Sequence, residues 1–177
     1  MKLTETMEKF ILHWGEMGTR WGVNRTVAQI HALLYLSEEP MDAESITETL
    51  GVARSNVSNS IKELQSWGLV TAVHVLGDRR DHFNSHKDLW EITRIIMNER
   101  KKREIDPTIT MLRQCVMESG DDKKTSTVVK ERIEDTLEFM EMMSNWYDQM
   151  KNVPTPTLTK LMKTGAKITD FLTRKKK

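Results

Sequence analysis

The stretch RSNVSNSIKELQSWGLV, residues 54–70, decides the fold of this chain because it joins a helical core pattern to an unusual polar face. Val57, Ile61 and Leu64 recur at helical spacing and predict a buried side. The opposite side carries residues of another kind: Ser55, Ser58, Asn59 and Lys62. Serine and asparagine form helices only moderately well, since their side chains compete for backbone hydrogen bonds. Their use on an exposed face therefore needs a functional reason.

The segments on either side complete a recognisable unit. Before it, Asp42 is a predicted N-cap for a short helix that ends at Gly51, and so tight a turn between two helices predicts a helix-turn-helix. After Gly68 the apolar period changes to about two, so residues 69–75 and 82–85 predict two strands of a hairpin around the turn LGDRRD. Helix, helix and hairpin in this order predict a winged helix-turn-helix.

The rest of the chain predicts helices. One spans residues 3–17, with a bend expected at Gly15, Gly18 and Gly22, and a second spans residues 25–36. Beyond residue 87 the pattern is helical again, with an almost heptad seam over residues 127–151 and a last amphipathic helix after Pro156. The predicted fold is mainly α, with residues 1–22 as an N-terminal helix, 23–87 as the winged unit and 88–177 as a helical region.

Composition limits the classes of function. The 177 residues carry a net charge of +1, so affinity for a polyanion would have to come from locally placed cations. Cys115 is the single cysteine and is expected to pack as a small apolar residue. No stretch approaches the roughly 20 apolar residues that span a bilayer, and we expect a soluble, cytoplasmic protein.

The polar helix face and the hairpin tip match the surface of a DNA duplex. Asparagine can pair with adenine through two hydrogen bonds, serine can donate or accept, and lysine reaches guanine or phosphate. Arginines at a hairpin tip can enter a narrow minor groove, although the flanking Asp78 and Asp81 could orient or neutralise them. The predicted DNA-binding residues are Arg54, Ser55, Asn56, Ser58, Asn59, Lys62, Arg79 and Arg80. The alternatives are a merely solvated helix face and a solvated turn.

On these residues the chain resembles the MarR-type regulators of transcription, and more closely the GbsR-like branch, which includes repressors of glycine-betaine genes. The resemblance covers roughly residues 20–92 and is most specific in VSNSIKELQSWGLV and GDRRD. It implies a homodimeric, sequence-specific regulator that binds double-stranded DNA and whose terminal helices form the dimer interface. A repressor is expected, with an activator as the alternative. The implied dimerisation residues are Phe10, Ile133, Leu137, Met140, Met143, Tyr147, Leu161 and Phe171.

Four positions depart from the pattern of that family. Ala53 stands where a serine N-cap is expected, and Asn24 stands where relatives carry proline. Ala28 and Gln29 replace an expected glycine and arginine. These differences concern the hinge before the second helix more than the DNA-binding role.

Some relatives sense choline, so a quaternary ammonium effector held by cation–π attraction is one expectation. The candidate aromatic residues are Trp14, Trp21, Tyr35 and Trp90, for which core packing is the alternative. His82 and His86 lack further ligands at metal spacing, and no catalytic motif is present, so we expect no metal, no cofactor and no enzymatic activity. The rival function is a winged-helix adaptor that binds a protein instead of DNA.

Overall fold

The computed structural model describes residues 1–174, and it describes side-chain surroundings for residues 1–165. The chain forms two compact units, Met1–Ile96 and the residues from Met97 onward. The architecture is mainly helical with one three-stranded antiparallel sheet, which confirms the predicted fold class. Within the described residues, no helix has both the length and the apolar run that a bilayer crossing requires.

The N-terminal unit is a helix-turn-helix with a hairpin, preceded by two helices. Its sheet has the order β1-β3-β2, with both strand pairs antiparallel. The elements in chain order are α1 (Glu5–Arg20), α2 (Arg25–Leu36), β1 (Met41–Asp42), α3 (Ala43–Leu50), α4 (Arg54–Trp67), β2 (Val70–Val73), β3 (His82–Ser85) and α5 (Leu89–Arg100). The predicted bounds of α2, α4 and β3 agree with these.

The core of this unit lies between α2, α3, α4 and the sheet. Val57, Ile61 and Leu64 of α4 are buried as their spacing predicts. They pack in one cluster with the apolar residues of α2, such as Ile30 and Leu33, which are completely buried. The packing of this face fixes the rotation of α4 about its axis, so the polar face must point away from the core.

Two glycines of α1 serve close packing rather than a bend. Gly15 and Gly18 lie inside the helix, so the bend predicted at these two positions is wrong. A Cβ atom at Gly18 would lie 2.5 Å from the Cβ of Ala28, and one at Gly15 would lie 2.6 Å from the Cγ of Gln29. Missing side chains therefore let α1 approach α2 closely, and the chain reverses at Gly22, where φ is +77°.

The sheet contains one strand that the sequence pattern did not predict. The hairpin pairs Ala72 with Phe83, and β1 pairs Met41 with the same residue on its other side. A strand of two residues is too short to show the alternation of apolar and polar residues that indicates a strand. The sequence pattern therefore could not reveal β1. Its pairing holds the start of α3 against the base of the wing.

The C-terminal unit contains a π-helical turn, Lys101–Ile105, followed by α6 (Asp106–Asp121), α7 (Thr127–Met150) and α8 (Thr155–Arg174). Pro107 lacks an N–H and its ring would collide with a carbonyl one turn earlier in a regular helix, so the wider turn before it relieves that conflict. The predicted helix over residues 127–151 agrees with α7. The side chain of Phe171 lies outside the described part.

Candidate nucleic-acid interface

The polar face of α4 is exposed. All six side chains predicted there are exposed, while Val57, Ser60, Ile61 and Leu64 are buried on the other face. Within the described residues, none of the six makes a side-chain hydrogen bond or ion pair. The exposed set is Arg54, Ser55, Asn56, Ser58, Asn59 and Lys62. Donors and acceptors without partners in the chain remain available for base edges and phosphates.

The turn between α3 and α4 positions the polar face of α4. Asp42 caps α3 by accepting hydrogen bonds from the backbone N–H groups of Glu44 at 2.9 Å and Ser45 at 3.1 Å. Gly51 ends α3 in the left-handed conformation, with φ at +63°. Ala53 occupies the N-cap position of α4 and provides no side-chain hydrogen bond, as the missing serine implies. The first N–H groups of α4 therefore lack a side-chain cap.

Arg80 is turned back towards the protein by two carboxylates. Its Nε lies 3.0 Å from both carboxylate oxygens of Asp78, and its Nη1 lies 3.2 Å from Oδ2 of Asp42. Asp42 is nearly buried, whereas about half of the Arg80 side chain is exposed. The sequence left open whether the wing acidic residues orient or neutralise an arginine, and this geometry favours orientation. Arg80 ties the wing to the cap of α3.

The charges of this cluster stabilise one another. Hydrogen bonds donated by the Arg80 side chain hold the pKa of Asp78 well below its usual range, and the same contacts raise the pKa of Arg80. Burial alone would raise the pKa of Asp42, but hydrogen bonds from Ser45 and Glu44 and the charge of Arg80 lower it on balance. The three groups thus stay ionised near neutral pH, and the wing keeps one orientation.

Arg79 differs from its neighbour. Its side chain is exposed, and within the described residues it has no hydrogen bond or ion pair. Of the two arginines predicted at the wing tip, Arg79 is therefore the one whose charge is uncompensated by the chain. An uncompensated cation on a projecting ribbon suits the negative potential of a narrow minor groove.

Lys87 stabilises the end of α2 beneath the hairpin. Its Nζ donates hydrogen bonds to the carbonyl oxygens of Leu34 at 2.6 Å, Tyr35 at 3.0 Å and Ser37 at 2.6 Å. These are carbonyls that a helix end leaves without partners. Sequence reasoning did not identify this role, because the contact joins residues about fifty positions apart.

His82 and His86 hydrogen-bond to the backbone at different places. Nδ1 of His82 lies 3.1 Å from the carbonyl oxygen of Arg80, and Nε2 of His86 lies 3.1 Å from that of Gly68. Each imidazole thus contacts a different part of the backbone. In the described part of the chain, no three His, Cys, Asp or Glu side chains form a group that could hold a metal ion.

Two of the four candidate effector residues belong to one aromatic row. Phe10 stacks on Trp14 at 5.4 Å between ring centroids and on Tyr35 at 6.5 Å. Trp14 and Tyr35 also pack against the core, as the alternative interpretation holds. Trp21 is 57% exposed at the end of α1, and Trp90 is half-buried in α5.

The seam of α7 has no buried residue. Met143 is 46% exposed, and Ile133, Leu137, Met140 and Tyr147 are half-buried. Leu161 of α8 is 51% exposed and Phe10 of α1 is 36% exposed. The predicted dimerisation residues that the structure describes therefore keep apolar surface accessible.

Gln65 and Leu76 extend the exposed surface beyond the residues identified from sequence. Gln65 lies on α4 one turn after Lys62 and is exposed on the polar side. Leu76 lies in the wing turn and is fully exposed. The helical period could have identified Gln65, whereas no sequence pattern shows whether a turn leucine is buried.

Comparison with known proteins agrees with this geometry. Residues 21–81 match the sequence profile of the MarR family. No curated protein matches the chain significantly. A crystal structure described as a transcriptional regulator has a TM-score of 0.64 at 16% identity, over 82% of this chain and 95% of that one. At this identity the likeness concerns the fold.

Two further structures have lower scores. The transcriptional regulator Tm0710 from Thermotoga maritima is 20% identical, with a TM-score of 0.39 over 79% of this chain and 92% of that one. A mutant of MepR from S. aureus, solved bound to an oligodeoxyribonucleotide, is 14% identical, with a TM-score of 0.38 over 80% and 90% of the two chains.

Proposed function

We propose that the protein is a homodimeric, sequence-specific DNA-binding regulator of transcription of the MarR type, because the sequence profile of that family matches residues 21–81. The MarR family consists of transcription regulators rather than enzymes. In the proposed complex α4 lies in the major groove and the hairpin reaches the neighbouring minor groove. Arg79 contacts the backbone or groove directly, and Arg80 positions the wing through Asp78 and Asp42.

The observation that supports this proposal is the state of the α4 face. Six short or cationic side chains are exposed there without partners in the described chain, while the opposite face is packed. A solvated face would serve as well with any good helix formers, such as glutamate or lysine. The exposed hydrogen-bonding groups lie on a helix whose rotation about its axis is fixed by packing. This arrangement favours recognition of DNA bases over the alternative function of a protein-binding adaptor.

Asn59 and Arg79 test two separate parts of this proposal. A preferred duplex is first selected from a random-sequence library, and its affinity is measured by fluorescence anisotropy at several salt concentrations. Asn59→Ala should cost about 1–3 kcal/mol on the preferred duplex and much less on an unrelated one. Arg79→Ala should weaken binding to both duplexes and lower the slope of log K against log salt by about one.

Lys123→Ala is the control, since it removes an exposed cation from the C-terminal unit. It should leave affinity and salt slope unchanged. Failure of the wild-type protein to select any duplex, or equal affinities of all three variants, would remove the DNA-binding proposal.

The C-terminal unit supports the proposal of a dimer. Among its described side chains, the buried apolar residues are Ile109 and Leu112, which is too small a core for helices of this length. An apolar groove of about 440 Å³ lies along α7 and the π-helical turn, lined by Met97, Phe139, Met140, Met143 and Trp146 among others. We assign this face to a second copy of the chain, because a two-fold pair would supply the missing core for both copies.

Analytical ultracentrifugation tests the dimer. Met143→Lys places a charge on the seam and should shift the protein to monomer, because a buried charge without a partner is strongly unfavourable. Asn145→Lys is the matched control: it adds the same charge to the same helix about 200° around the axis. A wild-type monomer at micromolar concentration, or a Met143→Lys variant that stays dimeric, would contradict the assignment.

The dimer has a consequence for the DNA site. Two recognition helices related by a two-fold axis and spaced about 34–36 Å apart would meet successive major-groove faces of a pseudo-palindromic site. Binding across a promoter would block transcription, so we propose repression. A reporter carrying the selected duplex should therefore be expressed more strongly when the protein is absent, and unchanged or weaker expression would contradict repression.

We also propose that a quaternary ammonium effector binds at the aromatic row of Phe10, Trp14 and Tyr35, of which Trp14 and Tyr35 are predicted effector residues. Choline would bind against the faces of these rings. Calorimetry with choline, repeated on Trp14→Leu, tests the idea. Absence of heat from the wild-type protein, or equal heat from both proteins, would exclude this site.

A further inference from the structure

The outermost part of the wing is an apolar turn. The N–H of Asp78 donates to the carbonyl oxygen of Val75 at 3.1 Å, and Gly77 has a φ of +86°. This geometry places Leu76 at the corner of a four-residue turn. Its side chain is fully exposed, and Val75 beside it is 40% exposed. Single exposed leucines are common on protein surfaces, so the position of Leu76 carries more weight than its exposure.

That position is fixed by the contacts below it. The β2–β3 ladder supports the hairpin, and Arg80 joins it to Asp78 and Asp42. Because Arg80 is drawn back, the tip presents Leu76 together with Arg79. A wing that enters a groove in this orientation therefore leads with one apolar side chain and one cation.

We propose that Leu76 enters the minor groove and selects against the exocyclic amino group of guanine; this inference rests on the proposed DNA-binding function. In the minor groove A·T pairs show only acceptors, while a G·C pair adds the N2 amino donor. An apolar side chain over that amino group would exclude water without offering an acceptor, which leaves a donor unpaired. Apolar side chains in this groove are an established means of protein–DNA contact.

Arg79 complements this selection without duplicating it. Its charge favours the more negative potential of a narrow, A·T-rich groove. That contribution weakens as salt rises, because it depends on counterion release. The contribution of Leu76 depends on apolar contact and desolvation, and it should persist at high salt. Salt dependence therefore separates the two residues.

Inosine substitution isolates the amino group. The probe is the duplex that the wild-type protein selects from a random library, with the base pairs flanking each half-site changed from A·T to G·C or to I·C. Inosine pairs with cytosine but lacks the N2 amino group. We expect G·C to weaken wild-type binding about tenfold, as an unpaired buried donor implies, and I·C to restore most of that loss.

Variants of Leu76 complete the test. At high salt, where the contribution of Arg79 is weak, Leu76→Ala should bind the A·T and G·C probes within about twofold of each other, because the side chain that covers the amino group is gone; its salt slope should be unchanged. Leu76→Met should keep the discrimination. Leu89→Ala removes another leucine that is 57% exposed and should behave as wild type. None of these residues is in the core, so folding is not at risk.

The outcomes separate this inference from the proposed function. If the wild-type protein selects no duplex, both fail. If Asn59→Ala loses affinity while Leu76→Ala still discriminates against G·C at high salt, the DNA-binding proposal stands and this inference is wrong. Equally weak binding of the I·C and G·C probes by the wild-type protein would also overturn this inference. So would a Leu76→Ala variant that binds DNA as the wild-type protein does and loses only the binding of a protein partner.

Discussion

Acidification should destabilise the N-terminal unit through His31, which lies in α2. The residue is only 4% exposed, and within the described part of the chain its Nε2 has no hydrogen-bond partner. Burial, together with the charges of the nearby His86 and Lys87, lowers its pKa from 6.5 to about 4. The folded chain therefore holds His31 neutral where an unfolded chain would protonate it.

The size of the effect follows from proton linkage. Between pH 6.5 and pH 4 the unfolded chain binds a proton that the folded chain does not, so the free energy of unfolding falls as the pH falls. For these two pKa values the loss is about 2 kcal/mol between pH 7 and pH 5, and about 3 kcal/mol in full below pH 4. Above pH 6.5, therefore, protonation of His31 no longer lowers the free energy of unfolding.

Urea unfolding at fixed protein concentration, followed by tryptophan fluorescence at several pH values, measures this loss. His31→Leu should remove about 2 kcal/mol of the pH dependence between pH 7 and pH 5, because leucine cannot bind the proton. His13→Leu removes an exposed imidazole of α1 and serves as the control. A wild-type protein and a His31→Leu variant with equal pH slopes would refute the reasoning.

Three further predictions concern packing and capping. Gly18→Ala should destabilise the protein by about 1–3 kcal/mol, because its Cβ would lie 2.5 Å from that of Ala28; part of the loss should return in the double variant with Ala28→Gly, as measured by urea unfolding. Lys87→Met should cost about 1–3 kcal/mol in the same assay, since three carbonyls at the end of α2 lose their donor; an unchanged midpoint would contradict the capping role. Asp42→Asn should keep the cap of α3 but remove the ion pair between residue 42 and Arg80. Amide hydrogen exchange should therefore be faster in the wing of the variant than in that of the wild-type protein, while α3 keeps its protection. Equal exchange rates in the two wings would contradict the positioning role of Arg80.

Local patterns predicted α4 well. The period of Val57, Ile61 and Leu64 fixed which face of α4 is buried, and the change of period after Gly68 located the hairpin. Both signals arise within a few neighbouring residues, so one chain is sufficient to show them. The exposed state of the six polar side chains follows from the same period.

Those local patterns did not predict contacts between segments that are distant in the sequence. Gly15 and Gly18 suggested a bend, but their role depends on Ala28 and Gln29 across the interface with α2. The strand β1 is defined only by its partner Phe83. The sequence showed both arginines of the wing without showing which one a buried aspartate would hold.

The sequence by itself determined that this chain forms helices, a tight turn and a hairpin in the order of a winged helix-turn-helix, because period and capping are local properties of the chain. Only the tertiary structure decided how the side chains of the wing are arranged. It brought Asp42 within 3.2 Å of Arg80, left Arg79 uncompensated and placed Leu76 at the tip. These facts depend on distances between segments far apart in sequence, which no local period specifies.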